Sequence, residues 1–180
     1  ARFLRLLTEV LAEPTLPLGD IPLLNTDERE ALSRLGEGNQ TASPDADIAA
    51  LFEAQATQTP EAPALEGPDA ALNYGELDAE ANRIAHHLRS MGVGDGDAVA
   101  ICANRGSRMV AAILGILKAG AGYVPLDPSY PADRLNQALD DARPVVLISE
   151  TAVTAALHPA EGTALLLIDA VRPAWSDASD

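Results

Sequence analysis

Apolar residues recur at helical spacing at Phe3, Leu7, Val10 and Leu11, which predicts one helix that Pro14 stops. Pro14, Pro17 and Pro22, with Gly19 among them, predict an extended connector over 14–24, because no helix runs through such a series. A short helix is expected at about 27–35, capped by Asn25 or Thr26 and ended by Gly36 and Gly38. Residues 36–46 are small and polar and read as a linker. Ile48, Leu51 and Phe52 then mark a helix that ends before Pro60, and Ala64–Glu66 and Ala71–Tyr74 read as short extended pieces. Asn73 and Glu76 have the spacing of a reciprocal helix cap. Leu77, Ala81, Ile84, Leu88 and Met91 form one apolar stripe behind it, and Gly92 is a left-handed stop.

From there strand and helix alternate. Strands are predicted at Ala98–Ala103, Gly122–Pro125, Val145–Ser149 and Ala164–Ile168. Helices are predicted at about 107–119, capped by Ser107 and closed by Gly120, at about 131–142 with Pro131 in the first turn, and, weakly, at about 151–157. The first of these is apolar on most of its surface and is expected to be buried. The alternation predicts an α/β fold, a mostly parallel sheet flanked by helices, preceded by a helical and extended linker. Residues 172–180 read as a loop.

Composition narrows the function. Apolar residues make up 47% of the 180 residues and aromatics only 3%, so the core is built from Ala, Val, Leu and Ile. With 12 basic against 27 acidic residues the net charge is −15, and Lys118 is the only lysine. A phosphate-neutralising groove needs clustered Lys and Arg, so nucleic acid and anionic membranes are poor partners. Cys102 is the single cysteine, lies in an apolar run and reads as a small core residue. No apolar run approaches the ~20 residues of a membrane span. The first residues lack an initiating Met and a signal-peptide pattern and read as the middle of a longer chain, in keeping with a reducing cytoplasm.

Several tempting sites fail on order or spacing. Gly92, Gly94 and Gly96 follow a helix and precede a strand, whereas a phosphate loop follows a strand and opens a helix. Lys118-Ala119-Gly120-Ala121-Gly122 closes a helix, so Lys118 is read as a cation capping the negative end of the helix dipole. His86 and His87 are adjacent on one helix, diverge by about 100° and cannot chelate together. Asp140 and Asp141 read as solvated charges. No catalytic, cofactor-binding or metal-ligating residue is assigned anywhere in the chain.

Eighteen ordered positions, Leu114-Gly115-Ile116-Leu117-Lys118-Ala119-Gly120-Ala121-Gly122-Tyr123-Val124-Pro125-Leu126-Asp127-Pro128-Ser129-Tyr130-Pro131, closely resemble the second signature motif of nonribosomal peptide synthetase adenylation domains. Leu72-Asn73-Tyr74-Gly75-Glu76-Leu77 resembles the first; Asn73 stands where that family prefers Thr or Ser, and Asn caps a helix equally well. Ala81–Arg89, Gly92-Val93-Gly94, Asp133-Arg134-Leu135 and Leu51–Gln55 are also similar to the family. Pro22-Leu23-Leu24 and Asp27-Glu28-Arg29 resemble the segment that leaves a condensation domain.

The resemblance implies three parts: the C-terminal helix of a condensation domain at 1–14, an interdomain linker with a short helix at 15–46, and the incomplete N-terminal part of an adenylation domain at 47–180. It implies a parent enzyme that uses ATP and Mg²⁺ to convert an amino acid to its aminoacyl adenylate. The acyl group then passes to the phosphopantetheine thiol of a downstream carrier domain. The family's reactive residues are expected beyond residue 180, so the piece alone is expected to bind none of these cofactors and to be inactive. The implied partners are the upstream condensation domain, the rest of the adenylation domain and the carrier domain. Two alternatives stay open: a fragment of an acyl-CoA ligase, and a truncated non-enzymatic docking module.

Overall fold

The structure, a computed structural model, describes residues 2–15, 17–21, 23–37, 46–67 and 69–170. The chain divides into two compact units, Ala1–Asp45 and Ala46–Asp180.

The first unit holds helix α1 (Arg2–Ala12), a single 3₁₀ turn (Leu18–Asp20) and helix α2 (Thr26–Glu37). The expected extended connector therefore contains one turn of tight helix. Asn25, rather than Thr26, caps α2: its Oδ1 accepts from the Glu28 backbone at 2.6 Å, and Glu28 Oε2 accepts from the Asn25 backbone at 3.0 Å. The helix passes through Gly36, the predicted stop, because Gly36 keeps a negative φ, and an interior glycine costs only about 1 kcal/mol. Gly38 and linker residues 38–45 lie outside the described residues, as does the loop predicted at 172–180.

The second unit begins with helix α3 (Ile48–Gln58) and strands β1 (Pro63–Glu66) and β2 (Ala71–Asn73), which pair antiparallel with Leu65 opposite Leu72. Helix α4 (Tyr74–Ser90) follows. Strand β3 (Ala98–Cys102), helix α5 (Ser107–Ala119), strand β4 (Gly122–Leu126), helix α6 (Ala132–Ala142), strand β5 (Val146–Ser149), the short helix α7 (Thr151–Thr154) and strand β6 (Ala164–Leu167) complete it. The last four strands form one parallel sheet in the order β4-β3-β5-β6, as the alternation predicts, while the hairpin stands apart from it.

Period-two alternation divides the core between the two faces of the sheet. Val99, Ile101, Val146 and Ile148 pack with Ile84 and Leu88 of α4 and Ile116 of α5. Ala100, Cys102 and Leu147 pack with Leu135 and Leu139 of α6 and with Leu157. The two faces follow from winding: the crossover from β3 to β4 and the return from β4 to β5 run in opposite directions, so right-handed connections place α5 and α6 on opposite sides.

Helix α4 opens as its sequence predicts. Asn73 Oδ1 accepts from the Glu76 backbone at 2.8 Å, and Glu76 Oε2 accepts from the Asn73 backbone at 3.0 Å. Its partner α5 crosses it closely at Gly115, where a Cβ would stand 2.6 Å from Ile84 Cγ2. At the end of α5, Gly120 takes φ 93°, and its N–H bonds the Ile116 and Leu117 carbonyls. A side chain there would also strike the Asp95 carboxylate.

Other expectations need correction. Met91 leaves the apolar stripe: it is the C-cap of α4 and is exposed. In α3 the inward face is Ala49, Phe52 and Ala56, with Ile48 and Leu51 exposed. Pro131 sits one position before α6, in the extended conformation of an N-cap. The helix predicted at 151–157 is helical only to Thr154 and continues as a turn that still buries Leu157.

Lys118 is the largest departure. Its side chain is 3% exposed and leaves the helix end instead of capping it. Nζ meets Asp78 Oδ1 and Asn82 Oδ1, each at 2.7 Å, and Glu53 Oε1 at 2.8 Å. Two of the three ammonium hydrogens go to the α4 acceptors Asp78 and Asn82, and Glu53 adds an ion pair. The C-terminal carbonyl of Lys118 is served instead by the Arg89 guanidinium from α4.

Along its outer edge β4 is exposed. Gly122 N–H bonds Asp97 O at 2.9 Å toward β3, so the backbones of Tyr123 and Pro125 face outward. Proline has no N–H to lose there, which is why it is tolerated at this position.

Candidate functional site

In open parallel sheets, ligands gather outside the carboxyl ends of the strands, where the winding reverses. Here the reversal lies between β3 and β5. The residues just past the strands are Ala103–Gly106 after β3, Asp127–Tyr130 after β4, Glu150 after β5 and Asp169 after β6. Two open depressions mark this edge. One of about 610 Å³ is lined by Asn104, Arg105, Met109, Asp127 and Tyr130. The other, of about 240 Å³, lies over the reversal and is lined by Asp69, Arg105, Arg108 and Glu150.

The polar groups here are largely committed to one another. Glu150 accepts from the Asn104 backbone at 3.2 Å and from its side-chain amide, tying the β3 and β5 loops together. Asp127 Oδ1 accepts from the Ser129 backbone at 2.9 Å. The Ser129 hydroxyl first, and its N–H second, hold the Asp127 carboxyl below the ordinary carboxylate range. The Arg134 guanidinium lies 4.2 Å from the centre of the Tyr130 ring.

Three helices start at this edge, and an aspartate from elsewhere in the chain reaches the start of two of them, α5 and α7, while α6 opens on Pro131 with no side-chain cap. At α5 the cap residue is Gly106, which makes no side-chain bond, and Ser107 is already inside the helix. Asp69, from the β1–β2 connection, takes the capping role expected of Ser107. Its two oxygens accept from Ser107 N at 2.9 and 3.0 Å, and Oδ2 also accepts from the Ser107 hydroxyl at 2.7 Å. The backbone bond, followed by the hydroxyl bond, lowers the Asp69 pKa to about 2. A Cβ on Gly106 would come within 2.9 Å of that carboxylate, so glycine leaves it room. Asp169 repeats the arrangement at α7, accepting from Thr151 N at 3.0 Å with both oxygens and from the Thr151 hydroxyl at 3.0 Å. Its carboxyl is likewise held low, chiefly by the Thr151 N–H. Arg108 completes the link from α5 to the β6 end by donating to the Ile168 carbonyl at 3.5 Å.

The residues weighed from sequence lie elsewhere. Gly92, Gly94 and Gly96 precede β3 and therefore sit at the amino end of the sheet, in a tight turn closed by Gly94 N to Asp97 Oδ2 at 2.9 Å. Lys118 through Gly122 precede β4 at that same end. His86 is exposed on α4 and His87 half-buried, and Asp140 and Asp141 are exposed. His158 bonds Asn136, at 3.1 Å from its Nδ1. Cys102 is buried, and desolvation, with the Asp127 and Glu150 charges behind it, pushes its thiol up to about 11. Sequence reasoning misses Asp69, Glu150 and Asp169. The last two stand directly after predicted strands, a signal the carboxyl-end rule can use.

Among the described residues no group of three or more His, Cys, Asp or Glu is placed to hold a metal ion. Among them, too, no buried side-chain nitrogen or oxygen lacks a hydrogen-bond partner. No described helix is long and apolar enough to cross a membrane.

Comparison with known proteins gives this edge its context. Surfactin synthase subunit 2 of Bacillus subtilis (strain 168) is 41% identical over 140 residues, 78% of this chain and 4% of that protein. Tyrocidine synthase 3 of Brevibacillus parabrevis is 40% identical over 151 residues, 82% of this chain and 2% of that protein. The chain thus spans a small part of the relatives it matches. Among solved structures, the nonribosomal peptide synthetase FmoA3 bound to alpha-methyl-L-serine-AMP superposes with a TM-score of 0.72 at 32% identity, over 99% of this chain and 20% of that one. The N-terminal subdomain of Klebsiella oxytoca NpsA shares the fold, with a TM-score of 0.60 at 24% identity, over 67% of this chain and 30% of that one. The family model of AMP-binding enzymes matches residues 52–179, well over half of the chain, and the chain belongs to that family.

Proposed function

We propose that residues 47–180 form the opening part of an amino-acid adenylation domain in a nonribosomal peptide synthetase module. Residues 1–14 are read as the exit helix of a condensation domain and 15–46 as the linker between them. The parent enzyme activates an amino acid with Mg·ATP as its adenylate and hands it to a carrier-bound phosphopantetheine thiol, in the cytoplasm. The likeness to surfactin and tyrocidine synthases supports the peptide-synthetase reading over an acyl-CoA ligase.

Within that enzyme the described residues serve as framework. The observation that carries this reading is the pair of aspartates at the helix starts. A helix N-terminus at the carboxyl edge of a parallel sheet is the natural seat for a phosphate. At α5 that seat is filled by Asp69 and at α7 by Asp169, while α6 has no such cap and carries Asp133 in its own first turn. A nucleotide phosphate would have to displace a carboxylate held by two or three hydrogen bonds, or lie beside it with like charge. The carboxylates of this edge each hold a loop or a helix start, and among the described residues no three of them gather into a metal donor set. The residues present therefore do not fit ATP or Mg²⁺, and no chemical step is assigned to them.

The test is amino-acid-dependent ATP–pyrophosphate exchange by a polypeptide that continues through the whole adenylation domain. Exchange with one or a few amino acids is expected. Exchange with none, alongside thioester formation from CoA and a carboxylic acid, would sink the peptide-synthetase reading.

A further inference from the structure

We propose that α3 is a strap latched across α4 and α5 by the Lys118 ammonium, able to lift while the parallel sheet stays folded. The apolar hold on α3 is slight. Its inward face offers Ala49, Ala56 and the half-buried Phe52, whose ring stands 5.8 Å from that of Tyr74 and 6.0 Å from Lys118 Nζ. Ile48 and Leu51 point away and are exposed.

The latch is asymmetric. Two of the three Lys118 partners, Asp78 and Asn82, lie on α4, accept hydrogen bonds from Nζ and are joined to each other by Asn82 Nδ2 to Asp78 Oδ2 at 3.2 Å. The third, Glu53, lies on α3, and its side chain is 53% exposed. When α3 lifts, Lys118 keeps both α4 partners and gains water in place of Glu53. No buried charge is stranded, so the lifting avoids the penalty that normally locks a buried ion pair. The strap also has one fixed end. Just past α3, Pro60 O accepts from Gly75 N at 2.9 Å and Ala62 O from Tyr74 N at 3.0 Å, pinning the chain to the start of α4. Lifting therefore begins at the Asp47 end and hinges near Pro60.

Native-state hydrogen exchange of the 180-residue chain tests this. Amides of α3 are expected to exchange through an opening that α4, α5 and the sheet do not share. Glu53→Gln changes a half-exposed residue and is expected to speed α3 exchange about threefold to tenfold while leaving α5 and β3 unchanged. Raising salt to 1 M is expected to speed α3 exchange in the parent chain and not in E53Q, because the lost pair is the screened one. Exchange of α3 at the rates of α4 and α5, or an equal acceleration of all helices by E53Q, would overturn the proposal.

Discussion

Asp69 holds Ser107 across 38 residues of sequence, accepting from its backbone N–H at 2.9 and 3.0 Å and from its hydroxyl at 2.7 Å. This one carboxylate fixes the β1–β2 hairpin to the start of α5, next to the loop that ends β3. Asp69→Ala should lower unfolding stability by about 1–2 kcal/mol, as the loss of a helix cap does. Urea unfolding at pH 7 measures it. A change below a few tenths of a kcal/mol would mean the bond contributes nothing in solution.

The same contact sets a pH dependence. The folded pKa of Asp69 is about 2, below its ordinary 3.8. A depressed carboxyl adds stability that is complete above the ordinary value and is lost as pH falls toward the folded one. Asp127 and Asp169 shift in the same direction. Stability should therefore fall from about pH 4 to about pH 2, and Asp69→Asn should flatten part of that decline. Because Asp69 is exposed, we expect its share to be about 1 kcal/mol rather than the full value of the shift. Equal acid slopes in the two proteins would contradict the assignment.

Gly115→Ala offers a test of packing against propensity. Alanine in place of a helical glycine normally stabilises by about 1 kcal/mol. Here the new methyl would meet Ile84 Cγ2 at 2.6 Å and the Ala81 carbonyl at 3.0 Å. We expect a net loss of about 1–3 kcal/mol from overpacking, which Ile84→Val in the same chain should not relieve, because valine keeps the Cβ and Cγ2 that are struck. A stabilised G115A would show that α4 and α5 part freely.

Lys118→Met leaves Asp78 and Glu53 facing each other without their cation. Breaking a buried pair costs about 3–5 kcal/mol, and the exposure of Glu53 brings our expectation to about 2 kcal/mol. Lys118→Arg should recover less than half, because a planar fork does not match three partners gathered around one atom. Denaturant titration of both variants distinguishes this from the dipole-capping role suggested by position alone, in which Arg would serve as well as Lys.

Cys102 supplies a probe of the sheet. Its thiol, buried and raised to about 11, should not react with a disulfide reagent at pH 8 while β3 is folded, and should react at once in denaturant. Rapid labelling of the folded chain would place β3 on the surface.

What is legible in the sequence is local. The Asn73–Glu76 cap, the stop at Gly120 and the strand–helix alternation each depend on residues within a few positions of one another. Three features are not legible. A local rule assigns the cap of α5 to Ser107, the nearest hydroxyl, whereas Asp69 arrives through the fold. Position alone makes Lys118 a dipole cap, because its three partners lie on α3 and α4, 36 residues away in Asn82 and farther in the others. The order β4-β3-β5-β6 depends on which flank of β3 each crossover returns to, and periodicity is silent on that.

The framework role is tested most directly by equilibrium dialysis of the purified 180-residue chain against labelled Mg·ATP, with pyrophosphate exchange followed in the same samples. No saturable nucleotide uptake up to millimolar concentrations and no exchange with any amino acid are expected. Uptake of one nucleotide per chain, or exchange that depends on an amino acid, would contradict it.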